Sequence, residues 1–383
     1  MVVFNLKILS LITEYNPLHN GHLYHIKKAK ELVDPDVTIA IMSGNFTQRG
    51  ELAVINKFDR AKEVIKHVDL VIELPLINAI SYADDFAIGA IKMAMELGTT
   101  DICFGSESGD IVAFKEALKN EQEINQDELK ELIKSGMSYP RAIETLNDNS
   151  LLSEPNNTLG ISYMKAIEML GANITPHTIK RKGTGFHDTH DELQEFQSAT
   201  GLRKLLKDKD QQTAEKYMPY RLARKIIERG VVDNETMFET LKAILLRSTE
   251  DELKSIYMMT EGLENRLIEY IKQAESYAEF LTLIKTKRYT WTRLSRLLIY
   301  VLLNITEYDV SERELPTAVR VLAMNVTGQY YLSTLKDKHI FTNINKKSRQ
   351  YFKDEIKATE IYNTLTGTSM NDFNTPVIIH RRV

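Results

Sequence analysis

Five short apolar runs between residues 7 and 179 constrain this chain more than any other feature. They are Lys7–Thr13 (KILSLIT), Val37–Met42 (VTIAIM), Asp69–Leu74 (DLVIEL), Asp101–Phe104 (DICF) and the weaker Asn173–Ile179 (NITPHTI). They are rich in β-branched residues and bounded by Gly, Pro or Asp, and they do not alternate polar with apolar. That is the habit of strands covered on both faces of a parallel sheet. Helical periods lie between them, over His22–Val33, Lys57–His67, Asp84–Leu97, Asp127–Ser135 and Thr158–Leu170. Right-handed crossovers then give an α/β fold with a doubly wound parallel sheet. In such sheets ligands bind at the carboxyl ends of strands, near the switch in strand order.

After about residue 210 the strand signals fade. Pro219–Arg229, Asp233–Leu246, Glu250–Tyr257, Leu263–Ala274, Tyr277–Lys285 and Thr292–Leu303 read as helices. In the tail, Val319–Ala323 and Val377–Ile379 read as strands and Lys353–Thr364 as a helix. The expected organisation is a nucleotide-type domain over 1–210 and a mostly α-helical domain over 211–383. One cysteine, Cys103, excludes a disulfide framework and any cysteine-rich metal site. The amino-terminal residues lack the apolar core of a signal peptide, and no apolar run is long enough to span a membrane. A cytoplasmic protein without a membrane partner is expected. Residues 1–176 carry 16 Lys and Arg against 25 Asp and Glu, whereas 177–383 carry 33 against 28. A basic second part is compatible with a polyanionic partner.

The strongest chemical signal is His19-Asn20-Gly21-His22, of the form H-x-G-H, where the first strand gives way to the first helix. Asn16 and Pro17 turn the chain, and Gly21 lets a flat base or ribose approach the backbone. The helix start offers N–H groups and a positive dipole end to phosphate. His19 and His22 can donate to phosphate oxygens, the more strongly if protonated. As metal ligands they lack a third partner nearby, so no metal site is expected. A second element, Ser198-Ala199-Thr200-Gly201-Leu202-Arg203, reads S-x-T-x-x-R. It is either an ordinary capped helix or a place where hydroxyls, N–H groups and a guanidinium converge on an anion.

Together these elements resemble the HIGH-type nucleotidylyltransferase superfamily. Further segments narrow the resemblance: Glu14–His22, Met42-Ser43-Gly44-Asn45-Phe46, Gln48-Arg49-Gly50-Glu51, Val71–Pro75, Phe104-Gly105-Ser106-Glu107 and Pro155-Asn156-Asn157, in that order. In this combination the chain is similar to the bacterial tRNA(Met) cytidine acetate ligase family, over essentially its whole length.

The resemblance implies a Rossmann-like sheet of the HIGH type and an ATP-dependent ligase. Acetate and ATP would give acetyl-adenylate and pyrophosphate, and the acetyl group would pass to N4 of the wobble cytidine (position 34) of elongator tRNA(Met), forming N4-acetylcytidine. It implies an ATP site of Ile12, Thr13, Glu14, Tyr15, Asn16, Pro17, Leu18, His19, Asn20, Gly21, His22, Leu23, Tyr24 and His25, with Gly105, Asn156 and Arg181. His19, His22 and Asn16 would be the catalytic residues. Ser198, Thr200 and Arg203 are candidate phosphate contacts, and Mg²⁺ is expected to travel with the ATP phosphates.

For RNA, Lys285–Arg296 holds five positive charges and no acid, with the only tryptophan. Lys285, Lys287, Arg288, Tyr289, Trp291, Arg293 and Arg296 suit phosphate contacts with base stacking; otherwise this is a helix start with solvated charges. Lys57 could bind phosphate or face solvent. His187-Asp188 and His190-Asp191 suggest a loop near phosphate or RNA rather than a metal cluster. Two rivals remain open: a small-molecule nucleotidylyltransferase or carboxylate–amine ligase of the same superfamily, and a non-catalytic RNA-binding protein.

Overall fold

The computed structural model describes residues 6–122, 125–135, 142–143, 145–146, 151, 154–182, 196–260, 262–311, 318–335 and 338–381. The segment carrying His187 and His190 lies outside them. The five apolar runs are strands: β1 (Ile8–Thr13), β2 (Val37–Ser43), β3 (Leu70–Leu74), β4 (Asp101–Ser106) and β5 (Thr175–Lys180). They pair in parallel in the order β5–β4–β1–β2–β3.

Successive strand residues point to opposite faces of a sheet. Ile39 and Ile41 therefore pack with Ile72, Phe104 and the helix Ala83–Glu96 on one side. Ala40 and Met42 pack with Leu9, Leu11, Val71 and the helices Asn20–Val33, Lys57–Val64 and Ala199–Lys207 on the other. Both faces are covered, which is why the strand sequences are apolar without alternation.

The tail returns to this sheet. β6 (Ala318–Asn325) is wholly buried and antiparallel to β3, while β7 (His339–Phe341) and β8 (Ile378–His380) run parallel to β6. A buried charge cluster fastens the join. Lys57 Nζ lies 2.6 Å from Glu73 of β3 and 2.9 Å from Asp372, and Arg320 Nη1 of β6 lies 2.8 Å from Asp372. Lys57 is thus neither a free phosphate ligand nor a solvated residue, as the sequence suggested. It is a buried counter-ion.

Between these segments the chain is helical. Phe238–Arg247, Leu263–Ile271, Tyr277–Ile284 and Trp291–Leu303 share one apolar cluster with Ala358 and Tyr362 of the helix Lys353–Thr366. The same cluster includes Phe46, Leu52, Leu76 and Ile77. Those residues follow β2 and β3, so the helical layer sits on the carboxyl-end loops of the sheet. The helix Ile111–Gln122 lies outside the helical periods read from the sequence, since its first turn is an apolar run; the Asp110 carboxylate starts it by accepting from the N–H of Val112 at 2.9 Å.

Candidate nucleotide site

β1 has β2 on one side and β4 on the other, so the chain leaves β1 in one direction and resumes from β4 in the other. This is the switch point, where the carboxyl ends of diverging strands open a crevice. The residues after β1, at the end of β4 and after β5 meet there.

After Thr13 the chain reverses sharply. Tyr15 is left-handed (φ 48°) and the Asn16–Pro17 bond is cis. Buried contacts hold the turn. Arg60 Nη1 donates to the Glu14 carbonyl at 2.6 Å, and Asn16 Oδ1 accepts the Val54 N–H at 2.8 Å. The second contact leaves the Asn16 amide nitrogen as that side chain's donor. Tyr15 and Leu18 are core residues and fix the stretch. Glu14 Oε1 accepts the Gln48 N–H at 2.6 Å. Burial raises the Glu14 carboxyl, with the Gln48 N–H and then Arg49 pulling the other way.

His19 caps the helix Asn20–Val33 and its ring stacks on His22, with centroids 3.7 Å apart. His22 Nδ1 lies 3.4 Å from the His19 N–H. Gly21 also serves the packing of the first helix turn. A Cβ there would lie 2.9 Å from His19 Cε1, so glycine makes room for the His19 ring. Asn20 turns away and donates to the Lys216 carbonyl at 2.9 Å, and Tyr24 meets Phe196 edge to face.

Gly105, at the end of β4, faces Arg181 and His25, whose Cγ and Cδ2 would lie 3.4 and 3.7 Å from a Cβ on it. Asn156 Nδ2 donates to Glu107 at 2.5 Å, and its Oδ1 lies 3.4 Å from Arg181 Nη1. Asn157 instead locks the loop after β4, accepting the Glu107 N–H at 3.0 Å. Asn156 thus reaches Arg181, whereas Asn157 holds the loop after β4.

Burial and the Arg181 charge set the electrostatics of the crevice. Burial first, and Arg181 second, pull His19 and His25 down to about 4. His22 is lowered well below its ordinary value by burial, then by His19, Arg181 and His25. Burial and Arg181 thus favour the neutral form of all three rings, whose N–H groups remain donors to a phosphate oxygen. Arg181 is itself lowered by burial, with Glu107 opposing and Arg49 adding to the fall. Nδ1 of His19 and Nε2 of His25 are buried without a hydrogen-bond partner. Such orphans cost about 1–3 kcal/mol each unless something pairs them.

The S-x-T-x-x-R element is close by but engaged. Ser198 Oγ caps its helix by accepting the Gly201 N–H at 3.1 Å. Arg203 donates to Thr200 Oγ1 at 3.2 Å and to the Asn16 carbonyl at 3.1 Å. It braces the turn from behind. In the basic run, Lys287, Arg288 and Trp291 are exposed, and Lys285 and Arg293 are partly so. Tyr289 and Arg296 are buried, which removes them from any surface open to RNA; Arg296 Nη1 is spent on the Gln48 carbonyl at 3.2 Å.

Among the described residues, no group of three or more His, Cys, Asp or Glu is placed to hold a metal ion, and no helix is long and apolar enough to cross a membrane.

A model of the HIGH Nucleotidyl Transferase family matches residues 6–375. The tRNA(Met) cytidine acetate ligases of Staphylococcus aureus strains JH9 and JH1 are each 45% identical over 379 residues, covering 97% of this chain and 99% of theirs. The crystal structure of apo Thermotoga maritima TmcAL superposes with a TM-score of 0.89 at 33% identity, covering 98% of this chain and 100% of that one. TmcAL bound with alpha-thio ATP gives 0.88 at 32% identity over the same shares. The chain belongs to the HIGH nucleotidyl transferase family and, within it, to the tRNA(Met) cytidine acetate ligases.

Proposed function

We propose that the protein activates acetate with ATP and transfers the acetyl group to N4 of the wobble cytidine of elongator tRNA(Met). Residues 1–210 would carry the ATP and acetate chemistry and 211–383 the RNA contacts. The observation that carries the reading is the pair of orphaned nitrogens, His19 Nδ1 and His25 Nε2, beside Arg181 at the switch point. Neutral imidazoles and a guanidinium in a largely desolvated crevice suit a polyphosphate better than a neutral ligand. The likeness to a TmcAL bound with alpha-thio ATP supports ATP as that ligand.

In the first step an acetate oxygen bonds to the α-phosphorus, the bond to the bridging oxygen breaks, and pyrophosphate leaves. This needs positioning and charge stabilisation rather than a protein nucleophile. His19, His22 and Arg181 stabilise the charge that develops on the phosphates, and the Asn16 amide donates to an oxygen of acetate or of the α-phosphate. Mg²⁺ carried on the ATP phosphates would spread the same charge. In the second step the cytosine amine attacks the acetyl carbon, loses a proton, and AMP leaves. The target base must be unstacked to reach the crevice, which an anticodon loop makes less costly. The exposed Lys287, Arg288 and Trp291 are the RNA contacts of the helical layer.

The test is ATP–pyrophosphate exchange with and without acetate, followed by transfer of labelled acetate to tRNA(Met). Acetate-dependent exchange and transfer are expected. Turnover of ATP without acetate would favour a small-molecule nucleotidylyltransferase. RNA binding without ATP binding would favour a non-catalytic protein.

A further inference from the structure

The segment Gln48-Arg49-Gly50-Glu51 has no role in the chemistry above, yet it joins the two halves of the protein. Phe46 and Leu52 bridge antiparallel, and the Thr47 N–H donates to the Glu51 carbonyl at 2.9 Å, so residues 46–52 form a small hairpin. One side is fastened to the nucleotide crevice: the Gln48 N–H reaches Glu14, and Glu51 lies 3.7 Å from Arg203. The other side is fastened to the helical layer. Gly50 is left-handed (φ 73°) and so close to the start of Trp291–Leu303 that a Cβ would lie 2.4 Å from the backbone of Ser295 and Arg296. Asn234 clamps the same side, accepting the Leu52 N–H and donating to the Gly50 carbonyl, each at 3.0 Å.

Arg49 sits at the tip of this rigid hairpin. It is exposed, and no hydrogen bond or ion pair to another described residue occupies its guanidinium. Its neighbour Gln48 donates to Glu14 in the turn after β1, so Arg49 stands beside the crevice. Two neighbouring acids among the described residues are already engaged, Glu14 by Gln48 and Glu51 with Arg203. An exposed arginine on a firmly anchored hairpin, between a nucleotide crevice and a basic helix start, is placed to take a phosphate.

We infer that Arg49 is a phosphate-binding residue for RNA, holding the backbone beside the reactive base as that base enters the crevice, because its hairpin bridges the nucleotide site and the basic helix start. This rests on the acetylation of tRNA proposed above. The alternative source of the same chemistry is a phosphate of ATP.

The experiment compares the full-length protein with Arg49→Ala and Arg49→Lys. It measures binding of a tRNA(Met) transcript over a series of salt concentrations, and the KM for ATP in acetate-dependent exchange. Arg49→Ala should weaken RNA binding by about tenfold and reduce the slope of log K against log salt by about one. Arg49→Lys should restore the slope. The side chain is exposed and no hydrogen bond or ion pair to a described residue holds it, so both variants should melt with the wild type. A tenfold rise in the KM for ATP with RNA binding unmoved would assign the phosphate to ATP and overturn the inference, as would no change in either. Binding is read without chemistry. A wild type that binds RNA but shows no acetate-dependent exchange would therefore sink the ligase reading while leaving Arg49 decided by its own slope.

Discussion

Arg203 and Asn16 lie 187 positions apart in sequence, and Arg203 Nη1 donates to the Asn16 carbonyl at 3.1 Å. The contact turns the S-x-T-x-x-R helix into a brace for the turn that presents His19. Arg203→Ala should relax that turn, with a loss of about 1.5–3 kcal/mol for a hydrogen bond to a charged donor. The expected signature is a KM for ATP raised roughly tenfold, more than the fall in thermal stability would explain. Exchange kinetics beside a melting curve would separate the two.

His19→Ala and His22→Ala should each lower acetyl-adenylate formation by about 10²–10³-fold, the usual effect of removing one preorganised donor. Binding of tRNA should persist, since neither ring lies in the helical layer. Folded variants that lose RNA binding would refute the separation of the two sites.

The histidine values set a pH dependence. His19 and His25 titrate near 4 in the folded protein, against an ordinary 6.5. Between those values the unfolded chain binds more protons than the native one, so stability rises with pH across that window and is lost as pH falls through it. Titration followed by NMR should find none of the His19, His22 and His25 rings protonating between pH 6 and 8 in the free protein. Adding ATP should raise these values, because an anion favours the charged ring.

Lys57→Met should destabilise the protein by about 3–5 kcal/mol, because Glu73 and Asp372 would then share one buried cation, Arg320. The measurement is chemical denaturation. A melt within experimental error of wild type would mean that the cluster reorganises around Arg320 at little cost.

Gly50→Ala combines a left-handed backbone with a collision at Ser295 and Arg296. We expect a loss above the ~1 kcal/mol of an ordinary strained alanine, together with weaker coupling between RNA binding and adenylation. Gly21→Ala, at an ordinary φ, should leave stability closer to wild type and act on catalysis by displacing His19.

The sheet was legible because its strands are buried on both faces, a requirement that writes unbroken β-branched runs into the sequence of β1 to β4. The helices of the second half were legible for the same local reason, through their apolar period. The position of H-x-G-H after β1 followed from turn chemistry at Asn16 and Pro17. Roles that depend on what a side chain meets across the fold could not be read in this way. Lys57 looks like a solvated or phosphate-binding lysine until Asp372 arrives from the tail. Tyr289 and Arg296 look like RNA contacts until the fold buries them, Tyr289 in the apolar cluster of the helices and Arg296 against the Gln48 carbonyl. Whether the histidines would carry charge is open in the sequence, and burial with Arg181 beside them favours the neutral ring. Period and turn chemistry are set by neighbours in the chain, whereas burial, ion pairing and pKa are set by neighbours in space. Only the tertiary structure supplies those.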